Sequence, residues 1–371
     1  MKSILFMIPN LGHGGAEKVL VNLVNHMDHS KFNITVMTLY DEGVNKQFLA
    51  DGITYKSCLN RSFPGIAHML KLLTPKQLYR CFVKEHYDVA ISYLEGQTAR
   101  IISGCDDPNT KKLCWIHRTY CSKKDAARLF RSEREAQQCY DSFDKIVSVS
   151  ADVQTAFMNL FLLNDKGVVL YNTNQSDYIL QAAEKPVPDN LFKKDEIKLC
   201  AMGSLIPVKG FDRLISIHRR LRADGYPVHT YILGEGSEKE KLVSQIAESK
   251  VNDSVTLLGY QANPYCYMTH CDLFVCSSFS EGFSTATTEA LILGVPVITT
   301  QVSGMRELLG QNCEYGVITE NDEVALYQGL RTLIQSPEKL KCYREKAVER
   351  GKIFCTENTV CAVEELLFSL P

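Results

Sequence analysis

The amino-acid sequence predicts an α/β protein made of two domains, each a doubly wound parallel sheet. Three observations lead to this fold class. The chain has 371 residues, about twice the length of an ordinary domain. Short apolar segments alternate with segments of helical length, as expected where helices cover both faces of a parallel sheet. This alternation is interrupted once, by a polar stretch between Asn172 and Lys198 that contains two prolines.

Each half of the chain contains about six of these apolar segments, which we interpret as buried strands. The segments are ILFMI, NITVMTL, DVAISYL, KLCWIH, KIVSVS and GVVLYN, followed after the polar stretch by KLCAMG, HTYILG, SVTLLG, DLFVCS, VPVITT and GVIT. The sequence therefore predicts an N-terminal domain over 1–172, a linker over 173–197 and a C-terminal domain from 198 to 352. We expect two Rossmann-like domains that face each other across a central cleft.

Composition excludes several classes of protein. Apolar residues make up 45% and charged residues 23% of the chain, which is typical of a packed globular protein. The net charge of −2 gives no basis for a dedicated nucleic-acid binder. Fourteen scattered cysteines without a CxxC pair indicate free thiols in a reducing cytoplasm. The absence of a run of about 18 apolar residues predicts that no helix spans a membrane.

The charge is unevenly distributed along the chain. Residues 1–172 hold 21 Lys and Arg against 17 Asp and Glu, while residues 173–371 hold 20 against 26. The excess of the first half is concentrated in 111–134 and in 61–84, where basic and apolar residues are interleaved. Such segments are typical either of a solvated protein face or of contact with an anionic membrane. A location at the inner face of the plasma membrane would fit the second interpretation.

A glycine-rich turn follows the first predicted strand. It contains Gly12, Gly14, Gly15 and Glu17 and leads into a helical segment. Backbone N–H groups at such a helix start can approach a phosphate closely. A nicotinamide dinucleotide is an alternative ligand, supported by Asp41, although Glu17 occupies the place of the third small residue in that fingerprint. A tight turn without a ligand is the third interpretation.

The most informative motif lies in the second half. Glu281 and Glu289 flank a predicted helix start near Ser284, with Gly282, Phe283 and Thr285 beside it; these residues follow the apolar segment DLFVCS. The helix start can bind a diphosphate, and the two carboxylates can bind sugar hydroxyl groups.

Two more turns follow strands of the second half. Lys209 lies in the turn that follows the first strand of the second half, and it can neutralise a phosphate. The turn Gly234–Gly236 ends the next strand and permits close backbone approach. Taken singly, a surface lysine or a glycine turn has no special function in most proteins.

In this order, the motifs G-G-A-E, K-G-F-D, G-x-G and E-G-F-x(5)-E resemble those of retaining GT-B glycosyltransferases of family 4, over nearly the whole chain. The resemblance implies transfer of a hexose or N-acetylhexosamine from a nucleotide sugar, UDP being the expected nucleotide, to a glycan or lipid-linked glycan in polysaccharide assembly. It also implies that residues 353–371 form a helix that returns to the first domain.

Residue roles carry over from the family by position. Glu281 is expected to contact the donor sugar and Glu289 the ribose, while Lys209, Gly14 and Gly15 approach the diphosphate. Residues 282–285 would stabilise the departing nucleotide through the helix N-terminus. His117, at the end of the segment KLCWIH, corresponds to a histidine at the reaction centre, and Tyr260 would border the base. Without the family, His117 is more often a packed residue at a strand end.

One departure from the family pattern concerns phosphate binding. Ser204 stands where the family usually has an arginine, and Arg306 and Arg118 are candidates to compensate for it. The lost charge leaves open a catalytically silent partner of an active transferase, and a GT-B sugar-nucleotide epimerase is the other alternative. No D-x-D pair occurs, so we expect a reaction that needs no metal and no cofactor.

Overall fold

The computed structural model describes residues 1–12, 14–163, 165–189 and 191–370. The chain divides into two compact units. Unit 1 comprises Met1–Asn174 and the segment that begins at Thr356, and unit 2 comprises Gln175–Cys355. Each unit carries one parallel sheet with helices between its strands, so the predicted α/β class is confirmed.

Unit 1 contains a seven-stranded parallel sheet in the order β3-β2-β1-β4-β5-β6-β7. Its strands are β1 (Lys2–Ile8), β2 (Phe32–Tyr40), β3 (Thr54–Leu59), β4 (Val89–Ser92), β5 (Lys111–Ile116), β6 (Lys145–Ser148) and β7 (Gly167–Val169). Its helices up to this point are α1 (Gly15–His26), α2 (Ile66–Leu70), α3 (Pro75–Phe82), α4 (Gln97–Ile102), α5 (Lys123–Ala126), α6 (Glu133–Asp141) and α7 (Ala151–Phe161). A short 3-10 helix covers Val44–Phe48.

Strand β3 is absent from the strands that the sequence predicts. Its sequence TYKSCL is polar at every second or third position, and all of its residues are half-buried or exposed. It pairs only with β2, at the edge of the sheet. An edge strand that faces water on one side lacks the continuous apolar character by which the other strands are recognised.

Unit 2 contains a six-stranded parallel sheet in the order β10-β9-β8-β11-β12-β13. Its strands are β8 (Ile197–Met202), β9 (Val228–Leu233), β10 (Val255–Gly259), β11 (Leu273–Cys276), β12 (Val297–Thr300) and β13 (Val317–Thr319). Its helices are α8 (Ser176–Ala183), α9 (Phe211–Ala223), α10 (Lys239–Glu248), α11 (Tyr265–Thr269), α12 (Thr285–Ile292), α13 (Met305–Leu309), α14 (Glu323–Ile334) and α15 (Pro337–Gly351). Two 3-10 turns cover Pro207–Lys209 and Lys352–Phe354.

The segment predicted as a linker, 173–197, contains a helix. Helix α8 lies inside it and packs on α11 and α12 of unit 2. The side chain of Asn263 donates a hydrogen bond to Ala182 O at 2.8 Å, and the Tyr178 ring meets the Tyr265 ring edge to face. The prolines and mixed charges that indicated a linker follow α8 and lie in 184–196, which contains neither helix nor strand in its described residues.

The last helix, α16 (Thr356–Ser369), belongs to unit 1. Lys2 Nζ donates to the carbonyl oxygens of Leu367 and Leu370 at 3.0 and 3.1 Å, which places a cation at the negative end of the helix. Phe32 packs on Phe368 with ring centroids 4.9 Å apart. All fourteen cysteines are free thiols, as the sequence predicts. Across the described chain, no helix meets the length and hydropathy required to cross a bilayer.

Candidate functional site

The strand order places the predicted site residues at the carboxyl ends of the strands in each sheet. Chain order reverses between β1 and β4 in unit 1, and between β8 and β11 in unit 2. Loops leave these strand pairs in opposite directions, which opens a crevice at their carboxyl ends where α/β proteins bind ligands. The loops after β1, β8 and β11 carry the predicted phosphate-binding and sugar-binding residues.

In unit 2, hydrogen bonds join the loops after β8 and β11 to each other. Phe279 N–H donates to Val208 O at 2.7 Å, and Ser277 Oγ donates to Lys209 O at 3.0 Å. Gly210 lies between them with φ of 63°, and a Cβ there would collide with the carbonyl oxygen of Ser277. Only glycine fits this close approach and this left-handed conformation. The glycine after Lys209 therefore brings the lysine against the loop that carries Glu281.

Arg213, on the first turn of α9, fastens the same loop and was not identified from the sequence. Its guanidinium is buried and donates to the carbonyl oxygens of Ser277 and Ser278 at 2.7 and 2.6 Å. The same group lies over the Phe279 ring at 4.0 Å. Burial lowers the pKa of this guanidinium, which remains charged. An arginine in a helical segment has no sequence signature that distinguishes such a role from surface exposure.

Glu281 lies at the end of this loop and is mostly buried. Its Oε1 accepts hydrogen bonds from Lys209 Nζ and from Ser278 Oγ, both at 2.6 Å. The predicted phosphate lysine and the predicted sugar-binding carboxylate thus form one ion pair in unit 2. Each residue supplies the other's charge partner until a ligand takes its place.

Helix α12 begins where the sequence predicts it. Ser284 is its N-cap, and Ser284 Oγ accepts hydrogen bonds from Thr287 N–H at 3.2 Å and Thr287 Oγ1 at 3.0 Å. Phe283 is buried and meets Phe354 with ring centroids 5.9 Å apart, so its side chain belongs to the core. A ligand at this helix start would therefore meet chiefly main-chain groups, those of Gly282, Phe283, Ser284 and Thr285 at the positive end of the helix.

Glu289 lies on the second turn of α12 and is buried. Its Oε1 accepts a hydrogen bond from the Tyr265 hydroxyl at 3.0 Å. Tyr260 follows β10 at the same edge of the sheet, and its ring is exposed. The chain thus places a buried carboxylate on α12 and an exposed aromatic ring after β10, both in unit 2. Such groups are suited to a ribose and a base, respectively.

Arg306 and Arg118, the candidates to compensate for Ser204, each make other contacts in the structure. Ser204 is exposed after β8. Arg306 donates to Gln311 O at 3.1 Å in unit 2. Arg118 belongs to unit 1, where it lies over the Tyr120 ring at 4.2 Å and 3.6 Å from a Glu95 carboxylate oxygen.

In unit 1, helix α1 begins at Gly15 with Gly14 as an extended N-cap. Glycine has no side chain with which to cap a helix, so the cap leaves the backbone donors of the first turn to other partners. A Cβ at Gly14 would contact the Glu17 carboxylate. Burial raises the pKa of Glu17. The turn thus places main-chain donors at the positive end of α1, with the Glu17 carboxylate beside them.

Asp41, which supported the nicotinamide alternative, is bound within unit 1. Its Oδ1 accepts hydrogen bonds from Lys46 Nζ at 2.8 Å and from the Tyr55 hydroxyl at 2.7 Å. These hydrogen bonds lower the pKa of Asp41. A role on a ribose would require Asp41 to give up these partners.

His117 and Glu95 form a second polar group at the carboxyl ends of β5 and β4. Burial lowers the pKa of His117 to about 4, against a smaller opposing effect of a hydrogen bond to the Tyr93 main chain. Its Nε2 atom is buried and finds no hydrogen-bond partner among the described residues. A buried polar nitrogen without a partner is unusual, and this one keeps its capacity for one hydrogen bond unused.

Glu95 was also not identified from the sequence. Its carboxylate accepts the His117 backbone N–H at 3.1 Å, and burial raises its pKa. It therefore fixes the backbone at His117. The signal was available, since Glu95 directly follows an apolar strand segment, but a single glutamate at a strand end is common.

The described residues contain no group of three or more His, Cys, Asp or Glu side chains arranged to hold a metal ion.

Comparison with known proteins gives consistent matches. Residues 183–350, within unit 2, match the family model of glycosyl transferases group 1. The N-acetylgalactosamine-N,N'-diacetylbacillosaminyl-diphospho-undecaprenol 4-alpha-N-acetylgalactosaminyltransferase of Campylobacter jejuni is 29% identical over 371 residues, covering 95% of this chain and 96% of the relative. An uncharacterized glycosyltransferase of Haemophilus influenzae is 24% identical over 358 residues, covering 91% and 92%. The crystal structure of Anabaena Alr3699/HepE in complex with UDP has the same fold, with a TM-score of 0.80, 18% identity and full coverage of both chains.

Proposed function

We propose that this chain, whose residues 183–350 match the model of glycosyl transferases group 1, is a glycosyltransferase that transfers a hexose or N-acetylhexosamine from a UDP-sugar to a lipid-linked glycan, with retention at the anomeric carbon. The observation that carries this proposal is the Lys209–Glu281 pair at the start of α12. A cation, a carboxylate and a helix N-terminus match a diphosphate next to a sugar.

The donor binds to unit 2 in this proposal. Lys209 and the main chain of 282–285 neutralise the diphosphate, Glu281 accepts hydrogen bonds from the sugar hydroxyls, and Glu289 accepts them from the ribose. Tyr260 supplies the aromatic face for the base. The Campylobacter relative, by its name, acts on a diphospho-undecaprenol-linked sugar and makes an alpha linkage, which supports the lipid-linked acceptor and retention.

The reaction breaks the bond between the anomeric carbon and the diphosphate oxygen and forms a bond to the acceptor oxygen. The acceptor proton goes to the leaving diphosphate, whose charge Lys209 and the helix N-terminus stabilise. In unit 1, the neutral His117 can accept or donate one hydrogen bond through Nε2, and the main chain at Gly14 and Gly15 lies at the positive end of α1. These charges belong to the chain, and we propose that the reaction is independent of metal.

The experiment is an assay with a panel of UDP-sugars, with and without a diphospho-lipid-linked glycan. The proposal requires a glycan lengthened by one sugar with at least one donor. An epimeric sugar formed without acceptor would favour the epimerase alternative. Binding of UDP without any turnover would favour the catalytically silent partner to which Ser204 points.

We also propose that unit 1 contacts an anionic membrane surface, as a lipid-linked acceptor would require. The support is uneven along the two basic segments. In 61–84, Lys76 and Arg80 are ion-paired with Asp106 at 2.6 and 2.9 Å, so their charges are partly neutralised. In 111–134, Lys111 and Lys112 begin β5 and Arg118 follows its other end, so the segment does not form one surface.

In 124–134, the side chains of Lys124, Arg128, Arg131 and Arg134 are exposed. Flotation of the protein with vesicles of phosphatidylcholine alone, or mixed with phosphatidylglycerol, tests the contact. We expect flotation only with the anionic vesicles, and equal behaviour with both would remove its electrostatic basis.

A further inference from the structure

A short apolar turn in unit 1 has its main chain held by two arginines. The apolar turn, residues 69–73, ends helix α2. Each of its four last carbonyl oxygens accepts a hydrogen bond from an arginine side chain. Arg100 donates to Leu70 O at 2.8 Å and to Leu73 O at 2.5 Å, while Arg131 donates to Lys71 O and, at 2.6 Å, to Leu72 O.

Arg100, which binds two of these carbonyl oxygens, is buried, and its charge is paired with a carboxylate. Arg100 lies on α4 and is 2% exposed. Its guanidinium binds both carboxylate oxygens of Glu135, at 3.0 and 2.9 Å. A bidentate pair of this kind holds the guanidinium in one orientation. The carbonyls of the apolar turn are therefore directed toward a rigid group.

The side chains of the turn are directed the other way. Leu72 is 79% exposed and Met69 is 58% exposed, and Leu73 is also at the surface. Main-chain carbonyls at a water-exposed turn need no protein donors, because water satisfies them. Here four successive carbonyls have side-chain donors while the apolar side chains have no cover within unit 1. Such a turn can move from water into a lipid surface while its carbonyl oxygens keep their hydrogen bonds.

The charges around the turn favour one occupant. Lys71 Nζ donates to Arg128 O at 2.7 Å, which joins the turn to the basic segment 124–134. Arg128, Arg131 and Arg134 are exposed, with Glu133 among them, while Glu135 is paired with Arg100 and, at 3.8 Å, with Arg131. Exposed leucine and methionine next to a segment with an excess of cations match an anionic lipid surface, into which apolar groups insert while cations remain at the headgroups.

We infer that the apolar turn is the element of unit 1 that inserts into an anionic lipid surface, and that Arg131 and Arg100 keep it in the inserting conformation. This inference rests on the membrane contact proposed above and names its site. Arg131 is a positioning residue in this account, because it acts through the backbone of Lys71 and Leu72.

The test is flotation with vesicles of phosphatidylcholine and phosphatidylglycerol, comparing Leu72→Ser with Leu162→Ser. Leu162 is a matched control, since it is in the same unit and is equally exposed at 79%. We expect Leu72→Ser to need about tenfold more lipid for half-binding, equivalent to about 1.4 kcal/mol, because the part of the leucine side chain that inserts is lost. Leu162→Ser should behave as wild type.

A second variant tests the role of the arginine. Arg131→Lys keeps the charge and cannot make both carbonyl bonds in the same geometry. We expect weaker flotation with an unchanged dependence on salt, whereas a purely electrostatic role would leave Arg131→Lys equal to wild type. Equal flotation of Leu72→Ser and Leu162→Ser overturns the inference while the membrane contact stands. Failure of wild type to float with any vesicle overturns the contact itself and assigns the turn to a protein partner.

Discussion

Lys209 Nζ lies 2.6 Å from Glu281 Oε1, and Ser278 Oγ donates to the same oxygen. In this arrangement each charge satisfies the other. In the proposed function, a diphosphate bound by Lys209 would release the Glu281 carboxylate, which could then accept hydrogen bonds from a neutral sugar. Binding of the two parts of a nucleotide sugar would thereby be coupled through one ion pair.

Glu281→Gln should separate nucleotide binding from transfer. The amide keeps the shape but cannot compete with phosphate for Lys209, so we expect UDP to bind as tightly as in wild type or more tightly. Transfer should fall by roughly 10²-fold, since oriented polar contacts at the reacting sugar contribute about 3 kcal/mol. Calorimetry with UDP and the transfer assay measure the two effects. The matched control is Glu238→Gln, which removes a carboxylate paired with Lys241 at 2.7 Å on the same unit. Weaker UDP binding in Glu281→Gln would refute the coupling.

Ser204→Arg should strengthen UDP binding. The family resemblance implies a phosphate-binding arginine at this exposed position, and a charge-assisted contact contributes about 1.5 to 3 kcal/mol. We therefore expect a roughly ten- to hundredfold lower Kd for UDP by calorimetry, with no change for uridine, which has no phosphate. Lys209→Met should weaken UDP binding by a similar factor. An equal effect of Ser204→Arg on uridine would show that the contact is not with phosphate.

Arg213→Lys should loosen the loop that carries Glu281. Lysine keeps the charge but cannot donate to both carbonyls and to Asn321 at once. We expect a stability loss of about 2 to 4 kcal/mol in thermal unfolding, because a buried network is broken. At a temperature where the variant is folded, kcat should fall more than the donor KM rises, since the loop positions the reacting sugar. Arg220→Lys on the same helix, whose guanidinium lies over the Tyr327 ring at 3.8 Å, should leave kcat unchanged. Equal kcat in both variants would contradict the positioning role.

Acid should destabilise unit 2 through His218. This residue is buried between Thr230 Oγ1 and Ser254 Oγ, and burial lowers its pKa to about 3. Between pH 6.5 and 3 the unfolded chain binds a proton that the folded state excludes, so stability is present above about pH 6.5 and is lost as pH falls. The slope is about 1.4 kcal/mol per pH unit in that window. His218→Gln should reduce this slope in urea unfolding, and the exposed control His68→Gln should not. An unchanged slope in His218→Gln would contradict the assignment.

Much of the fold could be predicted because buried parallel strands carry their own signal. Twelve of the thirteen strands are continuous apolar segments, whereas the edge strand β3 is half-exposed and reads as a loop. The position of α8 could not be predicted, because its attachment depends on contacts with Tyr265 and Asn263 that are distant in sequence. Polar composition indicates exposure to water and says little about which unit a segment joins.

The site shows the same division. Glu281, Lys209 and the start of α12 could be identified from spacing, because loop length after a strand limits where a residue can lie. Three features can be recognised only in the folded structure. They are the Lys209–Glu281 ion pair, the role of Arg213 and the contact of Glu95 with the His117 main chain. Each of these joins loops from different strands, and no local pattern encodes such pairings.

The most direct test of the central claim is the anomeric configuration of the product, read by proton NMR after reaction of a UDP-sugar with a diphospho-lipid-linked glycan. An α-configured UDP-N-acetylhexosamine or UDP-hexose should give an α-linked product with wild type and none with Glu281→Ala. A β-linked product would contradict retention, and full transfer by Glu281→Ala would contradict the site.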